Sequence, residues 1–599
     1  MRNKVVVILL LLIAIGAVGY KYLTSRPEFN VNTPEYQAPG EIVQLDQAWS
    51  DAQRVQFHYT SQGTRLVPYA WFKALEQPCF SLFACPPFKD SDYLARFGFI
   101  AGKVDATFNP DGFPIGFAVQ KDFYDPIAKK TDPAVGFTCA ACHTGELRYG
   151  KYSVVIEGAP ATIEVTEFQK AIGLAMGFTQ KFPFRYGRFE KNVLGPNATD
   201  QQKRDLKESF DAFMKNGAAE LDATTKQDTY KYVAGFTRTD ALTRIGNQVF
   251  AVDMDNFSNL APANAPVRFP QIWDASWFDW VQYNSSISDP MVRNIGEALG
   301  VRAAAKLYGP DAGEFNNSVN IEGLRTAEHL LAGEAPYGET PDGKSPNQGL
   351  RSPRWPGVFP ALDMTRVAKG EELYRHRCAG CHLPPIKDLV ADLKSSRPEH
   401  WWKNRQGKLF LRVTDIPVDK IGTDEHEAVD FINRTADTGA LGKGRVTAAD
   451  GLRLVMTSIR DNYYSRAGFP LARQIEWNGY RDPADETVQA IRVYKARPLN
   501  GIWAVGPYLH NGSVPSLFLL LAPVDKRPSK FWTGSKKFDP VNVGRDTSEL
   551  SGGYEFDTTL PGNKNTGHEF NDGPIGKGII GPKLSDDERW ALLEYLKSI

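Results

Sequence analysis

Two Cys-x-x-Cys-His stretches, Cys139-Ala-Ala-Cys142-His143 and Cys378-Ala-Gly-Cys381-His382, constrain this chain more than any other feature. In such a stretch two thiols add to the vinyl groups of a haem, and the adjacent histidine ligates the iron. A ring anchored to the chain in this way needs no deep pocket formed in advance. With six Cys and nine His in 599 residues, chance would place one such motif in fewer than about one chain in a thousand. Two copies are therefore not accidental. A zinc site would require further ligands close by, and a thioredoxin motif has no use for the histidine. The expected cofactors are two covalently bound haem c groups.

The N-terminus reads as an export signal. Arg2 and Lys4 precede an apolar run from Val5 to Gly19, shorter than the roughly 20 residues of a membrane span. Ala17-Val18-Gly19 offers a small-x-small cleavage site. An uncleaved anchor, with Tyr20 and Tyr22 at the interface, is the competing reading. In either case the bulk of the chain is expected to be periplasmic or secreted, touching the membrane only through this segment. The two cysteines outside the motifs, Cys79 and Cys85, lie between Pro78 and Pro86 and are expected to form a disulfide.

Equal numbers of basic and acidic residues, 70 of each, remove the positive field that a nucleic-acid partner requires. With 52 Gly and 40 Pro the chain should be rich in loops. The 35 Phe, 23 Tyr and 12 Trp suit either core packing or the walls around a flat cofactor, and composition does not separate the two.

The expected fold is mainly α and loop-rich, with two cytochrome c-like haem domains carrying long irregular insertions. After the segment at 1–19, an N-terminal loop-rich region covers 27–115, the first haem domain 116–355 and the second 356–599. The first motif is entered through Gly136-Phe137 and should follow a loop. Tyr152 to Ile156 is β-like, and Glu164 to Thr179 has helical periodicity. In the second domain a helix over about 363–376, with Val367, Leu373 and Tyr374 inward, should deliver the chain into Cys378. A last helix starts at Ser585 with Glu588 completing a capping box, and buries Leu592, Leu593, Leu596 and Ile599. Terminal helices crossing over the motif would close that module.

The sixth ligands decide function, because an open iron does chemistry and a closed one carries electrons. His510, in Gly506-Pro-Tyr-Leu-His-Asn-Gly-Ser513, and His568, in Asn565-Thr-Gly-His-Glu-Phe570, lie on turn-rich segments that could cap the second haem. No methionine follows Met456. For the first haem no distal His or Met stands out. Met176 lies on an apolar helix, where Ile172 and Ala175 are the candidate walls of an apolar pocket leaving the iron open to dioxygen or peroxide.

Val367 to Tyr374 ahead of Cys378, followed by Pro507 to Gly512, resembles the bacterial dihaem cytochrome c peroxidase superfamily. From about 90 to 599 the chain resembles its rubber-oxygenase-like branch more closely, through Thr138 to Gly145, Trp273 to Gly300, Leu509 to Pro515, Phe538 to Pro540 and Gly567 to Phe570. The resemblance implies that His143 is the proximal ligand of the reactive haem. It also implies that His382 and His568 ligate the other, with His510 beside that second haem. A tryptophan lies between the haems in the family, and Trp273 is the first candidate here, Trp280 the second. The peroxidases place a Met ligand on the second haem soon after a Tyr-x-His-Asp-Gly stretch. Asn511 stands in place of that Asp and no such Met exists, which argues against peroxidase chemistry.

Relatives in this branch oxygenate or cleave alkenes, so the expected activity is that of a haem-dependent oxidoreductase. The reading put first is addition of dioxygen to an unsaturated fatty acid such as oleate, by a dioxygenase or a hydroperoxide isomerase. Cleavage of polyisoprene is the alternative. A hydrogen-peroxide-reducing peroxidase and a plain electron carrier are the other classes weighed.

Overall fold

The computed structural model describes residues 31–79, 83–339 and 347–599. The apolar segment at 1–19 lies outside them. Helices form the frame, and the longest strands have six residues, Thr144–Tyr149 and Tyr152–Glu157. Among the described residues no helix is long and apolar enough to cross a membrane. Cys79 and Cys85 form a disulfide, with Cα atoms 6.2 Å apart.

The second motif hangs from two crossed helices. Asp363 caps Met364–Arg377 by accepting from the backbone N–H groups of Thr365 and Arg366, satisfying donors that the first turn leaves orphaned. Ser585 and Glu588 form the reciprocal capping box of Asp586–Ser598. The two helices meet at Gly370, where a Cβ would lie 2.0 Å from the carbonyl oxygen of Ala591. Val367, Tyr374, Leu592, Leu593 and Leu596 are buried in this crossing, while Leu373 and Ile599 pack at its edge. Tyr374 donates its hydroxyl to the Leu383 carbonyl at 2.8 Å, fixing the chain as it leaves His382.

The first motif is entered from a strand, where a loop was expected. Ala134–Phe137 pairs antiparallel with Phe117–Gln120 and with Val67–Pro68. Small and apolar residues let it sit fully buried. A short helix, Ala140–His143, leads into the hairpin Thr144–Tyr149 and Tyr152–Glu157. Glu41–Gln44 adds in parallel to the second of these strands, so the region before residue 115 contributes to the sheets on both sides of the motif. Behind it, Glu157 accepts from His58 at 2.9 Å and from Arg54 at 3.3 Å.

The helix Val165–Lys181 buries Phe168, Ile172, Ala175 and Met176 against a phenylalanine-rich core that includes Phe88, Phe97, Phe99 and Phe137. A third core joins Pro290–Gly300 to Ala241–Asn247 and Ala448–Arg466. It ties the part of the chain that follows the first motif to the part that follows the second.

Candidate functional site: one cavity shared by both Cys-x-x-Cys-His motifs

Cys139, His143, Cys378, Cys381 and His382 all line a single cavity. Cys142 packs instead against the phenylalanine core. None of the four motif cysteines is in a disulfide.

Each motif histidine is held by one backbone carbonyl. His143 Nδ1 lies 2.9 Å from the Pro270 oxygen, and His382 Nδ1 lies 2.9 Å from the Arg497 oxygen. A carbonyl only accepts, so both rings carry their proton on Nδ1 and leave Nε2 free to bind a metal. Burial pushes His143 down to about 4 and lowers His382 as well, which keeps both neutral, as ligation requires.

His568 faces His382 with ring centroids 6.0 Å apart. Two metal–imidazole bonds of about 2.0–2.1 Å, added to the distance from each ring centre to its nitrogen, give roughly this spacing. The His568 Nδ1 is buried without a partner. Burial, with His382 and Arg527 nearby, pushes the ring down to about 3. The loop that carries it is tightly fixed. Gly567, at φ +71°, brings the backbone so close that a Cβ would lie 2.3 Å from the Ile421 oxygen. The His568 N–H donates to that same oxygen at 3.0 Å, and Arg527 caps the His568 carbonyl at 3.0 Å. His568 itself sits at φ +44°, a conformation that costs free energy and persists where the surroundings enforce it.

Among the described residues no imidazole faces His143 in this way. The cavity lining is polar as well as apolar: Ala275, Val281, Ala327 and Leu331 share it with Gln282, Arg293, Asn294 and Glu297, and Arg293 and Glu297 are charged neighbours of Cys139. Arg293 pairs with buried Glu328 at 2.5 Å, and Gln282 donates to Glu297 at 3.2 Å. Burial raises the Glu297 carboxyl above its ordinary range.

His510 lines the same cavity. Its ring stacks on Tyr494 with centroids 4.1 Å apart, and its carbonyl accepts from the Arg268 N–H at 2.8 Å. Arg268, Lys495 and Arg497 add positive charge to the walls. Arg268 and Arg497 each leave Nε without a partner, and burial pushes Lys495 down to about 7. Basic side chains of this kind, two of them with an unpartnered Nε, suit the propionates of a haem. Facing imidazoles, motif cysteines outside any disulfide and these basic side chains all fit that cofactor.

Trp273 is fully buried and stands outside the cavity lining. Its indole N–H donates to the Asn500 carbonyl at 2.9 Å and its own carbonyl accepts from Arg497, so it ties the segment that carries Pro270 to the one that carries Arg497. Trp280 is half-buried beside the cavity, with its carbonyl 3.4 Å from Lys495 Nζ. Ile172 and Ala175 do not form the expected distal wall. Their helix turns its apolar stripe into the phenylalanine core, and the cavity is walled by Pro290–Gly300 and Ile321–Ala332 instead. No methionine lines the cavity among the described residues. Met176, Met254, Met291 and Met456 are buried in the cores, and Met364 is exposed. Pro270, Arg268, Lys495 and Arg497 were not legible in advance. An acceptor carbonyl has no residue identity, and a buried cation looks in sequence like an exposed one.

Residues 493–533 match a family model described as RoxA-like, cytochrome c-like. This match spans Arg497 and His510, and supports a haem c-binding cytochrome segment of the rubber-oxygenase-like kind at that part of the chain. Along its length the chain is similar to the uncharacterized protein y4iJ of Sinorhizobium fredii (strain NBRC 101917 / NGR234), at 43% identity over 97% of each chain, and it belongs to one family with that protein. The uncharacterized protein y4iM of the same organism is 28% identical over 263 residues, 41% of this chain and 51% of the relative.

Proposed function

We propose that this chain is an exported dihaem c-type oxygenase that adds dioxygen to an unsaturated apolar substrate, an unsaturated fatty acid such as oleate before others. One haem is held covalently by Cys139 and Cys142 with His143 as ligand, the other by Cys378 and Cys381 with His382 and His568. The observation that carries this reading is the asymmetry of the cavity: among the described residues His382 has an imidazole opposite it and His143 has none. A closed iron and an open iron in one cavity suit an enzyme better than an electron carrier.

Bound haem supplies the oxygen chemistry, and the protein supplies orientation and exclusion of water. Val281, Ala327 and Leu331 offer an apolar chain its contacts along the cavity wall. Arg293, held by Glu328, and Glu297, held by Gln282, place a cation and a carboxyl where an oxygenated product or a carboxylate head would need them. The disulfide supports an oxidising compartment. Cleavage of polyisoprene is the second reading, favoured by the RoxA-like description of the matching family.

An optical and EPR titration of the purified holoprotein tests the proposal, with oxygen uptake followed on adding oleic acid. One open haem beside one low-spin haem, with oxygen consumed, supports it. Two low-spin haems that ignore oxygen and oleate refute it. An open haem that turns over polyisoprene selects the second reading, and one that answers only hydrogen peroxide makes the protein a peroxidase.

A further inference from the structure

Arg497 touches the supports of both motif histidines. Its carbonyl accepts from His382 Nδ1 at 2.9 Å. Its guanidinium donates through Nη1 to the Gln271 carbonyl at 2.5 Å and through Nη2 to the Trp273 carbonyl at 2.8 Å. Gln271 directly follows Pro270, whose carbonyl accepts from His143 Nδ1 at 2.9 Å. One side chain therefore pins the segment that orients the first imidazole, and the same residue's backbone orients the second. The guanidinium also lies over the Phe278 ring, 4.9 Å from its centroid, which limits where it can move.

A bland account of Arg497 is available: buried carbonyls need donors, and an arginine supplies several. That account explains the two bonds of the guanidinium. It gives no reason for both to fall within three residues of one histidine's acceptor while the same residue's carbonyl serves the other histidine. The hydrogen bond from Nδ1 sets the basicity of a ligating imidazole, and through it the reduction potential of the metal. We propose that Arg497 is a positioning residue that couples the two sites, so that its side chain tunes the potentials of both haems together. The inference rests on both motifs carrying haem, and Arg497 itself reaches neither iron.

The test is a spectroelectrochemical titration of the holoprotein, after a haem count on the wild type. A wild type with a single haem refutes the dihaem reading on its own. R497Q should move both midpoints. R497K keeps the charge and one donor, and should move both less and in the same direction; it also serves if R497Q does not fold. Y464F removes the bond from the Tyr464 hydroxyl to Asn478 Oδ1, buried in the third core and outside the supports of both histidines, and should move neither midpoint. A shift confined to one haem in the Arg497 variants, or an equal shift in Y464F, overturns the proposal.

Discussion

His382 and His568 face each other across the cavity with ring centroids 6.0 Å apart and planes inclined at 61°. The chain brings them together from 186 positions apart, using one helix end and one glycine-hinged loop. H568A should turn the low-spin EPR signal of this site into a high-spin one while the haem stays attached. H568M should restore a six-coordinate iron at a higher potential, because methionine ligation raises it. An unchanged low-spin signal in H568A would mean that another residue closes the site.

Attachment can be counted by mass. The double variant C139A/C142A should lose one covalent haem from the intact protein, and C378A/C381A the other, each leaving one. C79A/C85A should lose none, since those thiols are joined to each other. Mass spectrometry of the denatured chain reads all three.

The crossing at Gly370 makes a stability prediction. A Cβ there would lie 2.0 Å from the Ala591 carbonyl oxygen, backbone that cannot swing aside. G370A should cost about 1–3 kcal/mol through overpacking. S585A, which removes the cap of the opposing helix, should cost about 1 kcal/mol. Both are read from urea denaturation of the holoprotein.

What sequence could and could not reveal follows from range. The capping box at Ser585, the terminal helices and the two motifs are local patterns, and the structure has the helices near their expected bounds: Met364–Arg377 against 363–376, and Val165–Lys181 against 164–179. The strand Ala134–Phe137 was hidden because its pairing partners lie elsewhere in the chain. Ile172 and Ala175 were misplaced for a related reason. Periodicity identifies the buried face of a helix, but does not say whether a cofactor or a row of phenylalanines covers it. The carbonyls that orient the two histidines belong to Pro270 and Arg497, more than one hundred residues from their partners, and no local signal marks them.

Glu427 gives the fold a dependence on pH. Its carboxyl is buried with Oε2 unpartnered, and burial, with the Asp240 carboxylate nearby, pushes it up from 4.5 to about 8. The folded chain therefore holds a proton that the unfolded chain releases above pH 4.5. Stability contributed by this group is complete below that value and falls as pH rises toward about 8, by at most about 1.4 kcal/mol per pH unit. E427Q cannot ionise and should flatten that fall, which denaturation at pH 5 to 8 would detect. A parallel fall in wild type and variant would assign the dependence elsewhere.

The walls of the cavity separate catalysis from packing. Leu331 lines the cavity, whereas Ile172 lies in the phenylalanine core. L331W should obstruct the space and slow oxygen uptake on oleate by about tenfold or more, equivalent to at least about 1.4 kcal/mol of lost stabilisation. The low-spin signal of the second haem should stay as it is, because His382 and His568 are untouched. I172A should do the reverse, costing about 2–5 kcal/mol of stability through the cavity it leaves with turnover per folded molecule retained. If I172A abolished turnover and L331W did not, the substrate would approach through the phenylalanine core, and the apolar wall first sought on the helix Val165–Lys181 would be the true one.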